Sequence, residues 1–215
     1  MLTRVIASVV LLPVFIVVVW LGGVWLDLVL ALLVAIAGWE LYRSCGLKRP
    51  WFYVILVLFA AAMVSVSMIR EMYGLWYVWL IFIAAWGCDT GAYFVGRFFG
   101  KRKLAPKLSP KKTVAGAVGG VITAAVLCMV YFVILEHFGI WYYETGIEPV
   151  MYMAWYGAIG AVLGQAGDLS ASAVKRVVGI KDYGNIMPGH GGVLDRFDSV
   201  IFVAPFAFIF VHFIM

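Results

Sequence analysis

The chain has 215 residues, of which 65% are hydrophobic and only 13% charged, and its formal net charge is +5. A soluble domain with so little charge could not cover its surface with polar groups, and a mean hydropathy of +1.04 excludes that class. What remains is an integral membrane protein, and its three scattered cysteines (Cys45, Cys88, Cys128) form no C-x-x-C pair and are expected to serve packing.

Apolar runs of about 20 residues, enough to cross a bilayer, fall at 5–25, 26–42, 51–69, 74–96, 114–135, 149–174 and 199–214. The expected fold is therefore all-α and polytopic, with about seven transmembrane helices. Arg4 precedes the first run, but no A-x-A site follows, so an uncleaved span is expected rather than a secretion signal. Placing the N-terminus inside puts fifteen of the sixteen Lys and Arg residues on the cytoplasmic side and leaves only Arg70 outside. The positive-inside rule then sets N-in and C-out, and the net charge is a topology signal rather than a nucleic-acid signature. Juxtamembrane bases would also attract anionic lipid head groups.

Along this order the first chemistry-bearing stripe lies on the fourth run. Asp89, Tyr93, Gly96, Arg97 and Gly100 share one helix face, and the glycines suit packing against a neighbouring span. Asp89 differs, because burying it unpaired would be costly. It sits ~22 Å from the outer end of its run, in the cytoplasmic half. The next connection, with its proline-broken basic stretch, is expected as a loop. Its S-P-K-K-T end and the glycines beyond (Gly116, Gly119, Gly120) could contact a polyphosphate.

The sixth run ends in Asp168, Ser172, Lys175 and Arg176, at i, i+4, i+7 and i+8 on one helix face. Asp168 lies ~28 Å in from the outer side. A carboxylate, a hydroxyl and two cations on one stripe could hold a metal and a phosphate chain. Residues 184–192, G-N-I-M-P-G-H-G-G, cannot be helical and open directly into Asp195, Arg196 and Asp198. Asp195 and Asp198 stand at i, i+3, so both can face one space if the last helix starts there. An all-oxygen donor set favours a hard cation such as Mg2+. His190 is expected to stabilise the loop or bond a phosphate rather than ligate metal.

Ser172-x-x-Lys175-Arg176, Lys181-Asp182 and P-G-H-G-G-V-L-D-R-F-D from Pro188 to Asp198 resemble the signature of phosphatidate cytidylyltransferases. Asp89-x-x-Ala92-Tyr93-x-x-Gly96 and Ser109-Pro110-Lys111-Lys112-Thr113 are similar to two further blocks of that family. The resemblance covers roughly residues 85–205. It implies transfer of CMP from CTP to phosphatidic acid, giving CDP-diacylglycerol and pyrophosphate, by a Mg2+-dependent enzyme of phospholipid biosynthesis, with a second cation as an option. It also implies a homodimer in the inner (plasma) membrane whose site faces the cytoplasm. In this reading residues 1–72 hold the first three helices, and 73–215 form a catalytic transmembrane domain with a cytosolic basic loop at 97–113 and the signature segment at 168–198.

Carried over by position, Asp168 and Asp195 would be the metal ligands, with Asp89, Lys175, Arg176 and Asp198 catalytic. Ser109, Lys111, Lys112, Ser172, Lys181, His190, Gly191, Gly192 and Arg196 would bind substrate. Ala115 and Ala171 stand where the family often has acids. Two rival readings stay open here. One is a CTP-dependent transferase or kinase acting on an isoprenoid or ether lipid. The other is a transporter, for which intramembrane carboxylates are also typical, although no internal repeat is visible and the polar residues gather on one side.

Overall fold

The computed structural model describes residues 2–141, 148–184 and 191–214. In chain order the elements are α1 (Leu2–Leu21), α2 (Gly23–Cys45), α3 (Pro50–Met72), α4 (Leu75–Phe99), β1 (Lys103–Ala105), β2 (Ser109–Thr113), α5 (Val114–His137), α6 (Glu148–Val178), α7 (Leu194–Phe197) and α8 (Val200–Ile214). Four of the helices, α2, α3, α4 and α5, are long and apolar enough to cross a membrane. Outward-facing Trp20, Val24, Trp25, Val57, Ile122 and Val162 are each more than half exposed. So many exposed large apolar side chains on long apolar helices belong against lipid, and the protein is an α-helical membrane protein.

Each apolar run is helical, but the first ends early. It was expected to continue to residue 25, whereas the chain turns at Gly22 with φ 66°. Arg70 explains the break. Its Nε and Nη2 donate to the Val19 and Trp20 carbonyls, both at 2.9 Å, satisfying end groups of α1. A Cβ at Gly22 would lie 2.9 Å from the Arg70 Cζ, so glycine is needed for space as well as for φ. The one base assigned to the outer side is thus occupied as a helix cap.

The second departure concerns the basic loop at 97–113. Arg97 belongs to α4, and the rest is built around an antiparallel hairpin pairing Lys103 with Thr113 and Ala105 with Ser109. Pro110 is tolerated because both strands of a two-stranded ribbon are edges. The all-α expectation therefore holds apart from this ribbon. Thr113 joins β2 to α5 without a spacer, and its Oγ1 accepts from Gly116 N at 3.1 Å as an N-cap. Lys112 is thereby held next to a fixed helix start.

Helices α4 and α5 approach closely through small residues. A Cβ on Gly116 would lie 2.7 Å from the Ala92 carbonyl oxygen, and one on Gly120 2.8 Å from that of Cys88. Gly116, Gly119 and Gly120 therefore serve helix packing, and Gly116 also lines the cavity that Lys111 and Lys112 face. Gly116→Ala should destabilise the protein by roughly 1–3 kcal/mol, because backbone atoms cannot swing aside. An unchanged thermal midpoint in detergent would contradict this packing. The buried core lies among α3, α4, α6 and α8 and includes Phe59, Leu80, Ile81, Met153, Tyr156 and Val203. It anchors the ends of α4, α6 and α8, where the acids sit.

Candidate active site

The stripe at the end of α6 divides in two. Asp168 forms an ion pair with Lys112 from the hairpin and accepts a long hydrogen bond from Ser172 Oγ at 3.4 Å. Lys175 turns inward, and its Nζ lies 2.8 Å from Asp195 Oδ1, with the two side chains only 10% and 4% exposed. Arg176 stays outside, with long bonds to the Leu108 and Ile180 carbonyls at 3.4 Å each. A single step along the helix separates an interior base from a surface one.

Asp195 is the most fully engaged acid. Its Oδ2 accepts from Tyr183 N at 2.8 Å and Gly192 N at 3.0 Å, while Oδ1 takes the Lys175 ammonium. A buried carboxylate needs such compensation, since desolvation alone would expel its charge. The Lys175 ammonium also stands 5.4 Å from the centre of the Tyr183 ring. The short helix α7 thus directs Asp195 back into the protein.

Asp198 goes elsewhere. The i, i+3 spacing allows it to share a space with Asp195, and its backbone stays helical at φ −58°, ψ −38°, but the two carboxylates take different hydrogen-bond partners. Asp198 Oδ1 accepts from Ser199 N at 2.9 Å, and Ser199 Oγ lies 3.4 Å from both Asp198 Oδ1 and Asp89 Oδ2. Burial raises the Asp198 carboxyl to about 7, and the neighbouring Asp168 and Asp89 charges push the same way, against Lys175 and the Ser199 amide. The folded state therefore holds this proton more tightly than the unfolded chain does. Its contribution to stability is complete below about pH 4 and is lost as pH rises toward 7. In metal-free buffer, Asp198→Asn should raise the thermal midpoint at pH 8, with the gain shrinking toward pH 4. A gain independent of pH would refute this assignment.

Asp89, alone of the four acids, lines a cavity of about 300 Å³ whose walls also include Tyr93, Arg97, Lys111, Lys112 and Gln165; Asp168 reaches it through its ion pair with Lys112. Beside the acids runs an apolar groove of about 220 Å³, lined by Trp51, Val54, Leu58, Ala171, Ile201 and Phe202. Gly167 and Leu194, the chain neighbours of Asp168 and Asp195, also line it.

The sequence-derived set is thus only partly gathered. Asp89, Lys112, Asp168, Ser172, Lys175, Asp195 and Asp198 surround this region, with Gly192 bonded to Asp195 and Gly191 in a left-handed turn at φ 86°. Lys111 lines the cavity from an exposed position, and Ser109 begins β2, half-buried. Arg176, Lys181 and Arg196 are exposed. His190 lies outside the described residues.

Three contributors escaped the sequence reading. Gln165, one turn before Asp168, donates to the Ala117 carbonyl at 3.0 Å and to Cys88 Sγ at 3.3 Å. Ser199 stands between two carboxylates, and Glu40 of α2 is 2% exposed. The rule that singled out Asp89, an acid inside an apolar run, applies equally to Glu40. Gln165 and Ser199 carry no such signal, because neutral polar residues are common in spans.

A model described as the cytidylyltransferase family matches residues 43–214. The chain belongs to that family. Among curated relatives, the phosphatidate cytidylyltransferase of Bacillus subtilis (strain 168) is 45% identical over 138 residues, covering 64% of this chain and 48% of the relative. Those of Staphylococcus saprophyticus and Staphylococcus aureus (strain COL) are 45% and 42% identical, each covering 61% of this chain and 47% of the relative. The chain spans about half the length of the curated relatives it matches. Glu40 precedes the matched segment.

Proposed function

We propose that this chain carries the CMP-transfer centre of a phosphatidate cytidylyltransferase, joining CTP and phosphatidic acid into CDP-diacylglycerol with release of pyrophosphate. The observation that carries this reading is the charge balance around the facing ends of α4, α6 and α7, beside the cavity. Four carboxylates (Asp89, Asp168, Asp195, Asp198) meet two inward-facing lysines (Lys112, Lys175), next to a groove suited to an acyl chain. A divalent cation would balance the two remaining negative charges, and oxygen donors suit Mg2+.

Among the described residues no group of three or more His, Cys, Asp or Glu side chains is gathered closely enough to hold a metal as it stands. The donor chemistry nonetheless fits. Asp168 and Asp195 each already face a lysine ammonium, which marks where positive charge is favoured, and these two would hold the ion with Asp89 and Asp198 beside them. Bound Mg2+ would supply charge neutralisation on the phosphates. Lys112, Lys111 and Arg97 offer cations to the triphosphate from the cavity wall. Such transfer needs positioning and charge more than a covalent nucleophile. A phosphomonoester is largely ionised near neutral pH, so the acceptor needs no strong base.

This reading includes seven spans, N-in and C-out, with the site at the cytoplasmic side of the bacterial inner membrane. The sorting of fifteen of sixteen bases supports it. The homodimer rests on the resemblance alone. The decisive assay uses purified protein in detergent with Mg2+, CTP labelled in the cytidine, and phosphatidic acid, ether-lipid or polyprenyl acceptors in parallel. Labelled lipid should form with phosphatidic acid. Product with another acceptor alone would reassign the substrate, and no labelled lipid in any arm would reject CMP transfer.

A further inference from the structure

We propose that Glu40, on α2, is a positioning residue that holds the backbone carrying Asp195, an inference that rests on the CMP-transfer reading. Glu40 is 2% exposed, and its carboxylate accepts Val193 N at 3.0 Å and Leu194 N at 3.3 Å across more than 150 positions of sequence. Asp195 takes the preceding amide, Gly192 N. Three consecutive backbone donors are thus divided between two carboxylates, one from the segment itself and one from a distant helix. An unpaired buried donor is costly, so this arrangement selects one conformation of the turn.

The glycines record the same contact. A Cβ on Gly192 would lie 2.5 Å from Glu40 Oε2, and one on Gly184 would also run into the Glu40 carboxylate. Both glycines therefore make room for Glu40, which is seated where the chain enters and leaves the signature loop. Ion pairing does not explain its burial, for among the described residues neither ion pair involves it. Its partners are backbone amides, and those amides lead directly into Asp195. Displacing the turn would move Asp195 relative to Lys175 without removing any group that touches substrate.

Glu40→Gln keeps the volume but turns one acceptor into a donor facing an N–H. The expected result is a kcat lowered roughly tenfold or more, with KM for CTP changed by less than about threefold, as misplacement of a catalytic group predicts. Hydrogen exchange in this 215-residue chain, without substrate, should rise severalfold in peptides covering 191–197 and stay unchanged in α4 and α5. Glu40→Asp keeps the charge and should recover part of both properties; it carries the same readouts if the Gln variant does not accumulate. Gly192→Ala should cost less activity in a Glu40→Ala background than alone, because the two act through one contact. Wild-type exchange at 191–197 in Glu40→Gln, or strictly additive losses in the cycle, would overturn the proposal. If the wild type transferred no CMP, the functional reading would fall while the exchange measurement still decided the role of Glu40.

Discussion

Lys175→Met should destabilise the folded protein by about 3–5 kcal/mol and leave no measurable CMP transfer. The substitution strands Asp195 as a buried carboxylate with two amides and no cation, and breaking a buried pair from one side costs more than removing both charges. Lys175→Met combined with Asp195→Asn tests that cause. Asn still offers its Oδ1 to one of the amides at 183 and 192 and carries no charge to strand. The double variant should regain most of the lost thermal stability in detergent and remain inactive. If it were as unstable as Lys175→Met alone, the ion pair would not be the source of the loss.

Asp168→Asn is expected to lower CMP transfer by roughly 10²-fold or more, with little loss of fold. Asp168 is partly exposed, and its charge works against Asp198, so removing it trades an ion pair with Lys112 for relief of repulsion. The Asp198 carboxyl should then titrate lower, narrowing the pH range over which Asp198→Asn adds stability. Lys112→Met probes the same contact from the other side. With the competing ammonium gone, half-maximal activity should need less Mg2+, although kcat falls because a cation is lost from the cavity. A higher Mg2+ requirement would mean that Lys112 assists metal binding rather than competing with it.

Most of the helical frame was legible in the chain because a bilayer demands long apolar runs and says so in composition. The failures have local causes. Gly22 ends α1 early because Arg70, distant in sequence, closes over it, and no periodicity announces that contact. The hairpin at 103–113 was hidden because prolines and lysines suggest a loop, and a two-stranded edge ribbon tolerates both. The glycines of α5 could serve phosphate or packing on sequence grounds, and only the approach of α4 shows how tightly they pack.

For the site, residue type was readable and partnership was not. Intramembrane acids at 89, 168, 195 and 198 are costly enough to be noticed in any sequence, and spacing placed Lys175 on the face of Asp168. Yet Lys175 bonds Asp195, Asp168 takes Lys112 from another element, and Asp198 turns to Ser199 rather than sharing the partners of Asp195. By itself, then, the sequence determined the membrane class, the helices and the chemical inventory of the site, since these follow from burial cost and local periodicity. Only the tertiary structure decided which charges meet and that Glu40 from α2 braces the turn, because compensation of a buried charge depends on distance in space and not along the chain.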